Sequence, residues 1–230
     1  VAQCVSPTIV NGSFESPVVT GGGGFDTFPS GSTLLTGWDV VPGIGGGGSV
    51  DTVDGSVWSA STGNQSLDLS GTVSGGGSGG SNQAGAITQT LSTVPGHRYR
   101  IDYDMSWHVS LNSGTADMQI STTSSVGSVV DASEDVSLAI TSPMAFTSKS
   151  FFFIASTTST VLEFRSLMPG NMGPVIDNIT IACVGDPITG VTIPLMPLTG
   201  SAVLALLIFI IASLRSVSYT HLRAHETVRN

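Results

Sequence analysis

Two aspartates one residue apart, Asp102 and Asp104, stand in the run HRYRIDYDMSW, and two histidines, His97 and His108, bracket them. On an extended backbone, residues i and i+2 share a face about 7 Å apart, a separation that suits the two carboxylates of a glycoside hydrolase. Neighbouring acids on one strand face are also an ordinary way to solvate a sheet. Neither histidine lies beside a nucleophile elbow. His97 follows Pro95 and Gly96 in a turn, and both histidines read as exposed or capping residues. No catalytic residue is assigned, and a non-enzyme is expected.

A second pair of acids is separated by nearly the whole chain. In PVIDNITIAC, residues 174–183, Val175, Ile179, Ile181 and Cys183 share a face by parity, and Asp177 falls on that inward face. A buried carboxylate is costly unless paired, and the first 190 residues offer four basic partners: Arg98, Arg100, Lys149 and Arg165. The opposite end, TIVNGSFE, closes on Glu15. Calcium accepts carboxylates together with backbone carbonyls, so one reading is a structural Ca²⁺ held by Glu15, Asp177 and nearby carbonyls. The other is an aspartate satisfied by turn hydrogen bonds or an arginine.

Cys4 and Cys183 are the two cysteines. A disulfide between them, formed outside the cell, would close almost the whole chain into one loop and stabilise it by about 5 kcal/mol. It requires the two chain ends to be neighbours; two buried free thiols are the alternative. For sugar recognition the useful groups are an exposed aromatic ring and hydroxyl-binding carboxylates. Trp58, in GSVWSAS, is the best candidate for the ring, with Asp102, Asp104 and His108 on an outward face; core or plain surface roles compete for each. Trp38 and Trp107 read as core. The glycine clusters at 21–24, 45–48 and 74–80 lack the Lys and Ser/Thr of a phosphate loop and read as flexible loops.

The elements that must position these groups are strands. Tyr99, Ile101, Tyr103, Met105 and Trp107 alternate with polar residues, the signature of a half-buried strand. Further strands are expected at 8–14, 34–41, 48–53, 65–70, 85–91, 115–121, 149–156, 160–166 and 174–183. KSFFFIAS is apolar on both faces and is expected to be central. Short strands between Gly, Pro, Asn and Ser turns, with no soluble helix, predict an all-β antiparallel jelly-roll sandwich over residues 1–185.

The C-terminal region has a different character. Residues 186–197 read as a linker. From Leu198 to Leu214 run 17 uncharged residues, ten of them Leu, Ile, Val or Phe; with Arg215 they predict a transmembrane anchor helix over 198–215, the domain lying outside. Residues 216–230 resemble adaptor-derived read-through and are set aside as non-native. His221, His225 and Glu226 within them lack the order of a zinc motif. Residues 1–190 hold four basic and fifteen acidic side chains, a net charge of −11, which repels phosphate backbones and argues against nucleic acid as a partner.

NGSFESP, TGWDV, GNQSLDLSG, ITQTL, PGHRYRIDYDMS and GPVIDNITI follow one another in the order of the bacterial choice-of-anchor C family. They are also similar to plant cell-wall proteins of unknown function and to galactose-binding-like carbohydrate-binding modules. The resemblance implies a jelly-roll sandwich that is extracellular, non-catalytic and attached to the cell surface by a C-terminal anchor. It also implies a calcium site flanked by the NGSFE and IDN segments, which matches Glu15 and Asp177. IPLMP, residues 193–197, stands where PEP-CTERM and IPTL-CTERM sorting signals carry their short motif, which implies a sortase-like processing enzyme. The expected partner is a cell-wall or extracellular polysaccharide; the alternative is a structural or adhesion protein without a sugar site.

Overall fold

The computed structural model describes residues 3–44, 47–72 and 84–185. Among them are eleven strands and no helix: β1 (Phe25–Pro29), β2 (Asp39–Pro42), β3 (Ser49–Asp54), β4 (Gln65–Asp68), β5 (Gly85–Ser92), β6 (Arg98–Trp107), β7 (Thr115–Ser124), β8 (Val130–Ala139), β9 (Thr147–Ile154), β10 (Ser159–Ser166) and β11 (Pro174–Gly185). They form two sheets, in the orders β1-β3-β4-β11-β6-β9 and β2-β5-β10-β7-β8. Every pairing is antiparallel, and the sheets enclose one core, the predicted sandwich.

Period-two alternation explains the core. Tyr99, Ile101, Tyr103, Met105 and Trp107 all point inward from β6 and are buried, joined by Leu162 and Phe164 from β10 and Met118 and Ile120 from β7. Trp38 is wedged between Phe14 and Phe164, with centroids 5.9 and 6.3 Å away, and its indole N–H donates to the Asn11 carbonyl at 3.2 Å. Trp38 and Trp107 are thus core residues, as expected.

The chain ends meet. Cys4 and Cys183 form a disulfide with Cα atoms 5.8 Å apart, and the Ser6 hydroxyl accepts the Cys183 N–H at 2.8 Å. The N-terminal partner of β11 is not the strand expected at 8–14, however. Asn11 and Phe14 adopt φ of 54° and 56°, and Phe14 N–H closes a turn on Asn11 O at 3.2 Å. The Asn11 side chain bonds Ser16 and Thr36, the local competition with sheet that asparagine is suited to. Val10 is exposed and Phe14 fully buried. At Gly12 a Cβ would collide with the Ile179 carbonyl oxygen, so only glycine lets this turn lie against β11.

Other expectations shift. The strand foreseen at 34–41 begins only at Asp39, because Trp38 N–H closes a turn on Leu35 O. β1 and β8 were not foreseen: one follows a glycine run, and the other is mostly polar. β9 is not central. It is an edge strand whose second apolar face stays exposed through Phe152 and Ile154, where the Arg98 guanidinium stacks 4.4 Å from the Phe152 ring. Among the described residues no helix is long and apolar enough to cross a membrane. The segments 186–197, 198–215 and 216–230, with His221 and His225, and the glycine cluster at 74–80 lie outside the described residues.

Candidate functional site

The outer face of the six-stranded sheet is not plain surface. Val50 and Leu67 point into the sandwich, so Asp51 and Val53 of β3 and Ser66 and Asp68 of β4 point out. The loop 55–64, between these two strands, folds back over that face. Trp58 lands on Val53 and Val175, flanked by Met144 and Phe146, in a small apolar cluster separate from the main core. Its indole N–H donates to Ser66 Oγ at 2.9 Å. Trp58 is therefore only 7% exposed and not the open stacking platform expected of it: a tryptophan in a Ser/Gly loop had an unpartnered apolar strip beneath it to cover.

His108 meets Trp58 edge to face, with centroids 5.2 Å apart and planes at 74°. Its Nδ1 accepts the Ser110 N–H at 3.1 Å, which leaves the proton on Nε2 in the neutral ring. Burial lowers its pKa further. Beside the pair, Asp51 and Asp68 stand directly opposite each other across β3 and β4. Trp58, His108, Asp51, Asp68, Phe25 and Val57 line a cavity of about 120 Å³.

The acids at its floor are poorly compensated. Asp68 Oδ1 accepts the Ser70 N–H at 2.8 Å and Asp51 Oδ2 the Thr72 N–H at 2.9 Å. Across β1 and β3 Asp51 also faces Thr27, whose hydroxyl offsets part of the cost of its burial. Burial pushes both carboxyls up, and Asp68 further because the Asp51 charge adds to it. Among the described residues no lysine or arginine lines the cavity. Sequence reasoning missed Asp51 and Asp68. Asp68 sits between Leu67 and Leu69, so its outward direction was legible, but the pairing register that opposes it to Asp51 was not.

The other foreseen residues do not line this cavity. Asp104 lies under the same loop, accepting from Ser61 Oγ at 2.5 Å, Ser148 Oγ at 2.6 Å and Asn178 Nδ2 at 3.0 Å. Desolvation raises its pKa, but those three donors outweigh it and hold the carboxyl below the usual range. Asp102, two residues back on the same face, is half-exposed and committed to the Arg100 guanidinium at 2.7 Å and to Ser150 Oγ at 2.6 Å. His97 is not exposed: it is 1% accessible, and its side chain lies within 4.8 Å of the Cys4 and Cys183 sulfurs. Those sulfurs are joined to each other and are not thiolate ligands.

Glu15 and Asp177 both bond to the backbone around the loop 55–64, by a different route from the inward face expected of Asp177. Asp177 is fully buried, but it points outward with Val175, while Ile176 enters the core. A bulge at Asn178, with φ of 53°, then reverses the phase, so that Ile179, Ile181 and Cys183 turn inward. Simple parity missed that irregularity. The loop 55–64 covers Asp177: Oδ2 accepts the Thr62 N–H at 2.8 Å and Oδ1 the Asn178 N–H at 2.7 Å. Glu15 Oε1 accepts the N–H groups of Asn64 and Gln65 at 2.9 and 2.8 Å. Gly63, next to Asn64 with φ of 66°, leaves room for that carboxylate, which a Cβ there would strike. Burial, supplemented by the Glu15 charge, pushes the Asp177 carboxyl up to about 6.

These features define a β-sandwich with a loop-covered outer sheet face, a small acid-floored aromatic cavity and a two-carboxylate anchor under the same loop. The family follows from the sequence match: residues 7–182 fit the family described as protein of unknown function (DUF642), and the chain belongs to it. Halomucin of Haloquadratum walsbyi is 32% identical over 189 residues, covering 79% of this chain; the chain spans about 2% of that protein's length. The chain is also similar to the CBM22-1 xylan-binding domain from Paenibacillus barcinonensis Xyn10C, with a TM-score of 0.46 and 14% identity over 80% of this chain and 99% of that one. For a family 16 carbohydrate-binding module the values are 0.44 and 19%, over 76% and 98%.

Proposed function

We propose that this chain is a non-catalytic, extracellular glycan-binding module of galactose-binding-like, choice-of-anchor type, whose ligand enters the cavity beside Trp58 and His108. The observation that carries the reading is the cavity itself, where aromatic walls able to pack on a pyranose face stand over carboxylates able to accept hydroxyl hydrogen bonds. Asp104 is a positioning residue, tying Ser61 and so the loop that carries Trp58 to the sheet. The disulfide supports a location outside the cell, since such bridges persist in oxidising compartments. A C-terminal membrane anchor, cut or retained by a sortase-like enzyme, completes the proposal from the apolar run after Pro197.

A structural calcium ion belongs to the same proposal. Glu15 and Asp177 supply hard oxygen donors suited to Ca²⁺, and a buried carboxyl raised by burial and by a neighbouring acid is a group a cation would ease. Bound there, the ion would lock the loop 55–64 to the sheet.

The second reading, an adhesion or matrix protein without a sugar site, is favoured by the exposed Phe152 and Ile154 on the β9 edge. A glycan array with the purified protein separates the two. Binding that is lost in Trp58→Ala and His108→Ala, with unchanged circular dichroism, supports the first; a blank array with concentration-dependent self-association supports the second.

A further inference from the structure

The cavity floor is anionic and its walls carry no compensating charge. Asp51 is 6% and Asp68 2% exposed, they are cross-strand partners, and among the described residues no basic side chain lines the cavity beside them. Buried polar groups are nearly always paired, and an unpaired one is a place where a ligand donor gains most. His108 cannot serve as the counter-ion, because its Nδ1 is already accepting a backbone N–H and burial favours its neutral form. The mouth differs from the floor: Phe25 is 36% and Val57 37% exposed there, over the buried Trp58. A ligand suited to both presents an apolar ring face outward and a compact cationic donor inward. At about 120 Å³ the cavity has room for such a group with part of its ring.

We propose that this cavity selects amino sugars, seating the protonated amine of a glucosamine-type unit between Asp51 and Asp68 while the C–H face of its ring packs on Phe25. The inference rests on the glycan-binding reading and names its substrate class. An ammonium contributes a positive charge and three N–H donors for the carboxylate lone pairs that the Ser70 and Thr72 N–H groups leave free, and the aromatic walls favour a cation over a neutral group. A flexible alkylammonium such as a lysine side chain has the charge but no ring face for Phe25.

Titration calorimetry of the full chain with three disaccharides of the same linkage tests this: a diglucosamine with free amines, its N-acetylated form, and cellobiose, with a lysine tripeptide as the non-sugar amine. The expected result is at least tenfold tighter binding of the free amine than of either other sugar, and weaker binding of the peptide. Asp51→Asn should lose that preference, whereas Asp39→Asn, the same charge change at an exposed site, should keep it. If the Asp39→Asn variant loses the preference equally, surface charge explains the selectivity and the inference fails. Equal or tighter binding of the neutral sugars overturns the inference and leaves the glycan-binding reading standing. Binding of the peptide alone, or of nothing, overturns both.

Discussion

Replacing Asp177 by asparagine probes the carboxylate anchor most directly, because its effect should change sign with pH and with calcium. Without a cation, the Asp177 carboxyl titrates near 6 in the folded protein against an ordinary value of 3.8. At about 1.36 kcal/mol per pH unit, ionising it costs the folded state about 3 kcal/mol. An acid whose folded pKa is raised stabilises least when ionised, so the penalty is absent below about pH 3.8, grows between 3.8 and 6, and is complete above 6. The Asp177→Asn change would remove the charge but keep only one acceptor for the Thr62 and Asn178 N–H groups, a loss of about 1–2 kcal/mol.

In excess EDTA, Asp177→Asn should therefore be about 1–2 kcal/mol more stable than the wild type at pH 7 and about 0.5–1.5 kcal/mol less stable at pH 4. For a domain of this size 1 kcal/mol moves the midpoint by roughly 2–4 °C. With millimolar calcium at pH 7 the order should reverse, since a bound ion stabilises the ionised acid and is lost with it. Thermal unfolding at four pH values with EDTA or calcium reads all of this. Asp51 and Asp68 contribute pH dependence of the same sign in both proteins, so the difference between variant and wild type isolates Asp177. Curves that superimpose with and without calcium remove the ion from the account. A variant whose pH profile parallels that of the wild type refutes the burial argument itself.

Three further measurements bear on the fold. Removing the disulfide with Cys4→Ala and Cys183→Ala frees a loop with a sequence separation of 179 and should lower stability in guanidinium by up to about 5 kcal/mol; a loss below about 1 kcal/mol would show that joining the chain ends hardly constrains the unfolded protein. Trp58→Ala should cost about 3–5 kcal/mol, with Trp58→Phe intermediate because the Ser66 hydroxyl loses its donor; an exposed tryptophan would give less than about 0.5 kcal/mol. Gly12→Ala should destabilise by about 1–3 kcal/mol through the clash with the Ile179 carbonyl, and an unaltered midpoint would mean that the turn can withdraw from β11.

Wherever one residue's neighbours along the chain decide its fate, the sequence was sufficient. Alternation alone determined that Tyr99, Ile101, Tyr103, Met105 and Trp107 form one buried face and that strands and turns dominate, because a strand's side chains switch faces every residue and only one face can leave water. An expected location outside the cell likewise favoured a bridge between Cys4 and Cys183 over two free thiols. Tertiary structure decided what depends on register and on covering loops. The bulge at Asn178 reversed the phase of β11 and turned Asp177 outward; the edge position of β9 exposed Phe152; and the fold-back of the loop 55–64 buried Trp58. Above all, pairing β3 with β4 at the one register that opposes Asp51 to Asp68 created the acid floor of the cavity. Those two acids lie seventeen residues apart in a chain that gives neither any local reason to be buried.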